Sequence, residues 1–355
     1  MIKSNKKNIK ILYVSMKYDY GDNERGFSFE HENFYKTLNN IFGNIIYFDF
    51  MELYKKYGKG KMNQILLDVV IKEKPEFMFC CLYTDELDKD IIRYISNNTN
   101  TVTFNWFCDD HWRFDNYSKF WAPCFNYVST TDINSLEKYN RIGYDNVILT
   151  QWACNTFDYK KLNLPKKYEI TFIGQPHGSR REWIRNIAKS GINIRYWGYG
   201  WNNISNKFIF KSFWYFPKRI SLFRPYYLKL LNKIKNSTRI SQREMIMVFN
   251  QSKINLNLSN SSTNQSQQIK GRNFEIPGCG GFMLTNYVEH LENYYKIGKE
   301  VICFNDLKDL KEKIKYYLVH GDEREKIAKA GYMRTIKEHT YEKRFIDIFK
   351  KMGII

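Results

Sequence analysis

No stretch of the sequence approaches the ~18 consecutive apolar residues that a membrane-spanning helix requires. The most apolar run, "FMFCCLY" at 77–83, is far too short. The start, "MIKSNKKNIKILYVSM", has basic residues ahead of a short apolar run, but no small-residue cleavage site follows. No secretory signal is expected, and the chain reads as cytoplasmic. Cysteines are few and scattered: seven in 355 residues, none spaced C-x-x-C, with Cys80 and Cys81 adjacent inside an apolar run. That pattern argues against zinc sites and disulfide frameworks and for reduced, buried thiols that act as small hydrophobes. Acidic residues are also short, 37 Asp and Glu against 56 Lys and Arg, for a net charge of +19. Such an excess suits nucleic acid, an anionic membrane surface or anionic substrates. It also follows from composition alone, because Lys, Asn, Ile, Tyr and Phe are overused together, as in AT-rich coding sequence.

What is present is ample for folding. Hydrophobic residues make up 43% of the chain and aromatics 17%, enough for two cores in a chain too long for one. The first half alternates apolar, β-branched and aromatic runs at 9–16, 44–50, 76–83, 101–107, 125–131 and 146–152 with amphipathic segments such as 29–42 and 62–74. After a polar, proline-bearing stretch at 160–169, a second series has strand-like runs at 170–174, 192–198, 253–259, 281–285 and 301–305. Helical text follows at 307–320, 322–339 and 340–353. Alternating β and α predicts an α/β fold with parallel sheets. We expect two Rossmann-like domains facing across a cleft, 1–160 and 161–339, with a carboxyl-terminal helix over 340–355 packing back on the first. Residues 203–238 break the rhythm: they lack Asp and Glu, and their Lys and Arg alternate with Phe, Trp and Tyr. This insertion reads either as a packed surface subdomain or as an interfacial segment lying on anionic lipid or gripping a polyanionic acceptor.

Four places carry chemistry. In "KGRNFEIPGCGGFMLTN" (270–286) a turn or short helix precedes the strand "GFMLT", Pro277 limits its length, and Gly278, Gly280 and Gly281 permit close backbone approach. Glu275 suits the vicinal diol of a ribose, and Lys270 and Arg272 suit a diphosphate. The alternative is a helix-terminal pair of Arg272 and Glu275 that only stabilises. "ITFIGQPHGSRREWIRNI" (170–187) reads as strand, loop with Gly174 and His177, then a helix capped by Ser179 and Glu182. Arg180 and Arg181 in its first turn complete an anion site, although the segment is neither a G-x-G-x-x-G nor a Walker loop. "NWFCDDHWRF" sets Asp109, Asp110 and His111 just after a strand, as a general base, as hydroxyl acceptors or as a metal site; no third ligand spacing supports the last. The loop 17–34, with Gly21, Gly26, Glu30 and His31, is an expected acceptor-binding element, though a His that begins a helix is more often a cap or surface residue.

These residues carry a resemblance. "KGRNFEIPGCGGFMLTNYVEHLENYYKIGKEVICF", "EREKIAKAGYMRTIKEHTYEKRF", "FIGQPHGSRREWI" and "YWGYGW" resemble the nucleotide-sugar-binding half of spore-maturation-type glycosyltransferases in the family-1/family-4-like group. "NWFCDDHWRF" and "STTDINSLEKYNRIGYDNVILTQWACN" are similar to the amino-terminal half, and the likeness covers nearly the whole chain except the basic insertion. The resemblance implies a GT-B fold and a metal-independent transferase with no tightly bound cofactor. It implies a nucleoside diphosphate sugar, UDP-linked, as donor and a saccharide, lipid-linked or protein acceptor in cell-surface glycan synthesis, with retention at the anomeric carbon. It sets donor contacts at Gly174, His177, Arg180, Arg181, Gln267, Lys270, Arg272, Glu275 and Gly280, with Asp109, Asp110 and His111 handling sugar or acceptor hydroxyls. Related retaining enzymes have two acidic residues eight positions apart; Glu275 falls on the second, and Gln267 replaces the first. Two other readings stand beside this one: a transferase acting on modified DNA bases, and a basic binding protein without catalysis. Peripheral contact with the inner face of a membrane through 203–238 completes the expectations.

Overall fold

The computed structural model describes residues 9–202, 239–259 and 267–355. The expectations placed on 203–238 lie outside the described residues. The chain divides into two compact units, one running through Tyr159 and taking in Thr335–Ile355, the other Lys160–Arg334.

The first unit is built on six parallel strands: β1 (Ile11–Val14), β2 (Ile45–Phe48), β3 (Phe77–Cys80), β4 (Val102–Trp106), β5 (Tyr127–Thr130) and β6 (Val147–Leu149). Their spatial order is β2-β1-β3-β4-β5-β6, with Ile11 facing Ile45 on one side and Phe77 on the other. Successive side chains point to opposite faces, and here the faces differ in chemistry. Leu12, Val14, Met78 and Cys80 meet an aliphatic layer supplied by Met62, Leu66 and Val70 of the helix Phe50–Glu73 and Ile92 and Ile95 of the helix Lys89–Asn98. Tyr13, Phe77, Phe79, Phe104 and Trp106 face an aromatic layer. Phe34 lies 4.8 Å from Trp106, Phe345 lies 5.6 Å from Phe79, and Phe349 lies 4.8 Å from Phe77, ring centre to ring centre. Phe345 and Phe349 belong to the last helix, Tyr341–Lys351, which therefore caps this sheet. Each such aromatic pair adds about 0.5–1.5 kcal/mol beyond area burial.

The helix Phe50–Glu73 begins earlier than the amphipathic text at 62–74 suggests. Asp49 caps it by accepting from the N–H groups of Met51 and Glu52, and the backbone breaks at Gly58. The segment 29–42 opens with a π-helical turn, His31–Tyr35, before the α-helix Lys36–Phe42.

The second unit carries five parallel strands: β7 (Tyr168–Ile173), β8 (Ile194–Trp197), β9 (Ser252–Asn257), β10 (Met283–Asn286) and β11 (Ile302–Phe304), in the order β11-β10-β9-β7-β8. Ile170, Phe172, Ile254, Leu256, Leu284 and Phe304 form its core with Ile184 and Ile187 of the helix Arg180–Lys189 and Leu310 and Ile314 of the helix Leu307–Val319. Between strands runs a buried polar ladder: the Thr171 and Ser252 hydroxyls pair at 2.8 Å, and Asn257 Nδ2 donates to Thr285 Oγ1 at 3.1 Å.

Both sheets reverse their winding at one place. In the first, β1 lies between β2 and β3; in the second, β7 lies between β8 and β9. Such switch points open a crevice beyond the carboxyl ends of the two central strands, where ligands of α/β sheets bind.

Candidate functional site

The switch point of the second sheet gathers cations. His177 and Arg180 follow β7, and Lys270 and Arg272 come from the segment that follows β9. Burial holds the His177 imidazole below its ordinary range, and the charges of Arg180 and Lys270 lower it further. Burial, with Arg272 nearby, brings Arg180 down to about 10. Like charges this close raise each other's electrostatic energy unless an anion joins them.

Arg180 is nearly buried, and its guanidinium ties the two sides of the crevice together: Nη1 donates to Gln175 O at 3.0 Å and Nη2 to Leu258 O at 2.7 Å. Arg181 does not share this place. One helical step turns it toward β8, where it donates to the carbonyls of Trp201, at 3.1 Å, and Gly200. The two arginines expected together are thus separated. The predicted cap also differs: the helix begins at Arg180, but Ser179 has helical backbone angles, and no cap hydrogen bond forms. Gly174 closes β7, its N–H donating to Trp197 O at 2.9 Å and its carbonyl accepting from Trp201 Nε1 at 2.7 Å.

Glu275 lies in the short helix Arg272–Gly278, fully enclosed at 0% exposure, and its carboxylate pairs with Arg272 one turn back. In this structure, then, the pair considered as the alternative is formed. It places the carboxylate and a cation of the cluster in contact. Gly280 follows with φ of +72°, and a Cβ at Gly281 would stand 2.7 Å from Asn255 Nδ2, so the turn into β10 requires glycine. Gln267 is held from the end of β10, its Oε1 accepting from Asn286 Nδ2 at 3.0 Å, while Asn286 Oδ1 accepts from Ser259 N at 2.7 Å.

The switch point of the first sheet gathers carboxylates instead. Glu30, half-buried in the loop after β1, has its carboxyl pushed up to about 7 by burial, with the charges of Asp19 and Asp109 adding to the shift. Its backbone carbonyl accepts from Tyr13 OH at 3.0 Å, and Ser28 anchors the loop by donating to Met16 O at 2.7 Å. Asp109, after β4, is half-buried, as is His111. Asp110 is different. It has 0% exposure, with Oδ1 accepting from Ser118 Oγ at 2.5 Å and Oδ2 from Tyr139 OH at 2.9 Å. The catalytic role expected of Asp110 does not fit a carboxylate enclosed and engaged at both oxygens. His31 also turns inward, stacked on Phe27 at 4.4 Å and Tyr35 at 5.0 Å, with its imidazole brought down to about 4 by burial and by Lys36 and Lys17. A neutral, stacked imidazole shapes the loop. Gly21 lies in the same loop, its carbonyl accepting from Lys55 Nζ.

Cys81 and Cys108, with sulfurs 3.9 Å apart, lie beside the acidic pair as free thiols. Among the described residues no helix is long and apolar enough to cross a membrane, and no group of three or more His, Cys, Asp or Glu side chains assembles as a metal cage.

Two all-parallel sheets, each with helices around it and a switch point, make this a protein of the GT-B fold. Anabaena HepE, solved with UDP and glucose, superposes with a TM-score of 0.62 at 9% identity over 98% of this chain and 100% of that one. A glycosyltransferase from Rickettsia africae superposes at 0.58 and 12% identity over 97% and 98%. Residues 180–350 match the family model described as glycosyl transferase-like. Spore protein CgeB of Bacillus subtilis is 24% identical over 226 residues, which span 61% of this chain and 64% of that relative. Over residues 180–350 the chain is similar to the glycosyl transferase-like family, and to CgeB over part of its length.

Proposed function

We propose that the chain transfers a glycosyl unit from a nucleoside diphosphate sugar, UDP-linked, to an acceptor hydroxyl. The observation that carries this reading is the convergence of His177, Arg180, Lys270 and Arg272 on the crevice between β7 and β9, beside the buried Glu275. A diphosphate relieves the mutual repulsion of Arg180, Lys270 and Arg272, and it also favours the charged form of His177, which burial and these cations hold below its ordinary range. In the reaction the same groups stabilise the charge that develops on the departing diphosphate, the largest single contribution in such chemistry. Lys270 and His177 supply point contacts, while Arg180 holds the loops through its carbonyl bonds. Glu275 accepts from the ribose hydroxyls as Arg272 shifts to phosphate. The UDP in the HepE complexes is consistent with this donor class.

On the first unit Glu30 and Asp109 bind the acceptor hydroxyl. We propose retention at the anomeric carbon, with a departing phosphate oxygen taking the acceptor proton; the carboxyls then orient rather than deprotonate. The test is incubation of the full chain with a panel of UDP-, GDP-, ADP- and TDP-sugars, with mass spectrometry of the products and NMR of the anomeric proton. One UDP-sugar is expected to be consumed fastest, releasing or transferring sugar in its original anomeric form. Consumption of no donor contradicts transfer, and an inverted product contradicts retention.

A further inference from the structure

Two aromatic rings stand side by side in solvent at the switch point of the first sheet. Tyr20, in the loop after β1, is 43% exposed, and Tyr83, in the loop after β3, is 38% exposed. Their centres are 5.2 Å apart and their planes meet at 79°. Single exposed aromatics are ordinary, but these two are fixed in place. Tyr20 has φ of +52°, left-handed backbone that an L residue with a bulky side chain rarely adopts. The guanidinium of Arg25 lies 4.5 Å over its ring and is itself pinned by Asp19 at 2.8 Å. On the other side, Tyr83 O accepts from Arg113 Nη1 at 2.8 Å, Thr84 O accepts from Tyr117 OH at 2.6 Å, and the Glu86 carboxylate accepts from Thr84 N at 2.8 Å. Strained backbone kept in place by its surroundings is a mark of functional sites.

The charges of Asp19 and Glu30 reach the Tyr20 hydroxyl, so the rings adjoin the carboxylates of this crevice. We propose that Tyr20 and Tyr83, set edge to face, form a platform for one pyranose ring of a neutral saccharide acceptor, one ring stacking on the sugar and the other closing its side, so that the acceptor presents a hydroxyl to Glu30. The inference rests on the transferase reading and narrows its acceptor from saccharide, lipid-linked or protein to the first. A pyranose ring has a face of C–H groups with slight positive charge, complementary to the negative face of an aromatic ring, and an edge of hydroxyls suited to carboxylate acceptors. A phosphate or carboxylate on the acceptor would meet the carboxylates Glu30 and Asp109, while Asp19 is already answered by Arg25.

The experiment applies the full chain to an immobilised panel of defined neutral, sulfated and phosphorylated oligosaccharides, with UDP binding measured in parallel by calorimetry. Neutral glycans are expected to be retained. Tyr20→Ala and Tyr83→Ala should weaken retention at least tenfold, and Tyr20→Phe and Tyr83→Phe should stay within threefold of wild type. Tyr20→Gly separates binding from folding: glycine accepts the left-handed backbone, so its melting temperature should equal or exceed that of wild type while retention is lost. A lower melting temperature in Tyr20→Gly with retention intact assigns the ring a structural role and overturns the platform. So does preference for anionic glycans, or retention of none by a chain that binds UDP. Glycan retention without any UDP binding would leave the platform standing and remove the donor reading.

Discussion

Arg180 and Arg272, far apart in the chain, sit within each other's electrostatic reach beyond the carboxyl ends of β7 and β9. Arg180 ties the crevice walls and Arg272 pairs with Glu275, yet a stable core alone gives no reason to add Lys270 and His177 to the same crevice. An anion gives one.

Within that cluster the residues divide by what they hold. Arg272 neutralises a carboxylate with no exposure, so Arg272→Ala is expected to destabilise the protein by about 3–5 kcal/mol in chemical denaturation, the cost of breaking a buried pair. Lys270 is half-buried at the crevice, and Lys270→Ala is expected to leave the denaturation midpoint nearly unchanged while weakening UDP binding about tenfold, the equivalent of about 1.4 kcal/mol.

The adjacent carboxylates Asp109 and Asp110 should behave oppositely. Asp110→Ala strands the buried hydroxyls of Ser118 and Tyr139 and is expected to cost about 2–4 kcal/mol of stability. Asp109→Ala should alter the melting temperature little and reduce transfer to acceptor, measured as product formed per donor consumed. Equal stability losses for the two would contradict the division.

Glu30 carries a pH dependence of definite sign. Its carboxyl titrates near 7 in the folded chain and in the ordinary Glu range when unfolded, so the folded state holds the proton more tightly. Stability associated with this group is present below about pH 4.5 and is lost as pH rises toward 7. Glu30→Gln avoids that loss. It should be more stable than wild type at pH 8, by up to about 3 kcal/mol, and no more stable at pH 4.5, in parallel urea titrations.

Much of the architecture is legible from local text. Strands buried on both faces read as unbroken apolar runs, as "FMFC" of β3 does, and the helices Leu307–Val319 and Tyr341–Lys351 have plain amphipathic spacing. The start of the helix Phe50–Glu73 is hidden because Gly58 interrupts it and its first turns are rich in Lys and Tyr. A Ser-x-x-Glu pattern misleads at Ser179 and Glu182, where Ser179 itself takes helical rather than extended backbone angles. The same pattern forms a complete capping box at Ser241 and Glu244, ahead of the apolar "MIMVF", where the signal was available. Which of two adjacent aspartates faces the core depends on where a helix begins, and the chain enters one at Asp110. The meetings of Glu30 with Asp109 and of Tyr20 with Tyr83 depend on strand order, which no local pattern encodes.

The most direct test of the account is calorimetric titration of UDP into the full chain at low and high salt, with Lys270→Ala alongside. The cation crevice predicts saturable binding of one UDP per chain that weakens as salt rises and falls about tenfold in the variant. Absence of binding at low salt, or binding indifferent to both salt and Lys270, would contradict the claim that this crevice exists to hold a nucleoside diphosphate.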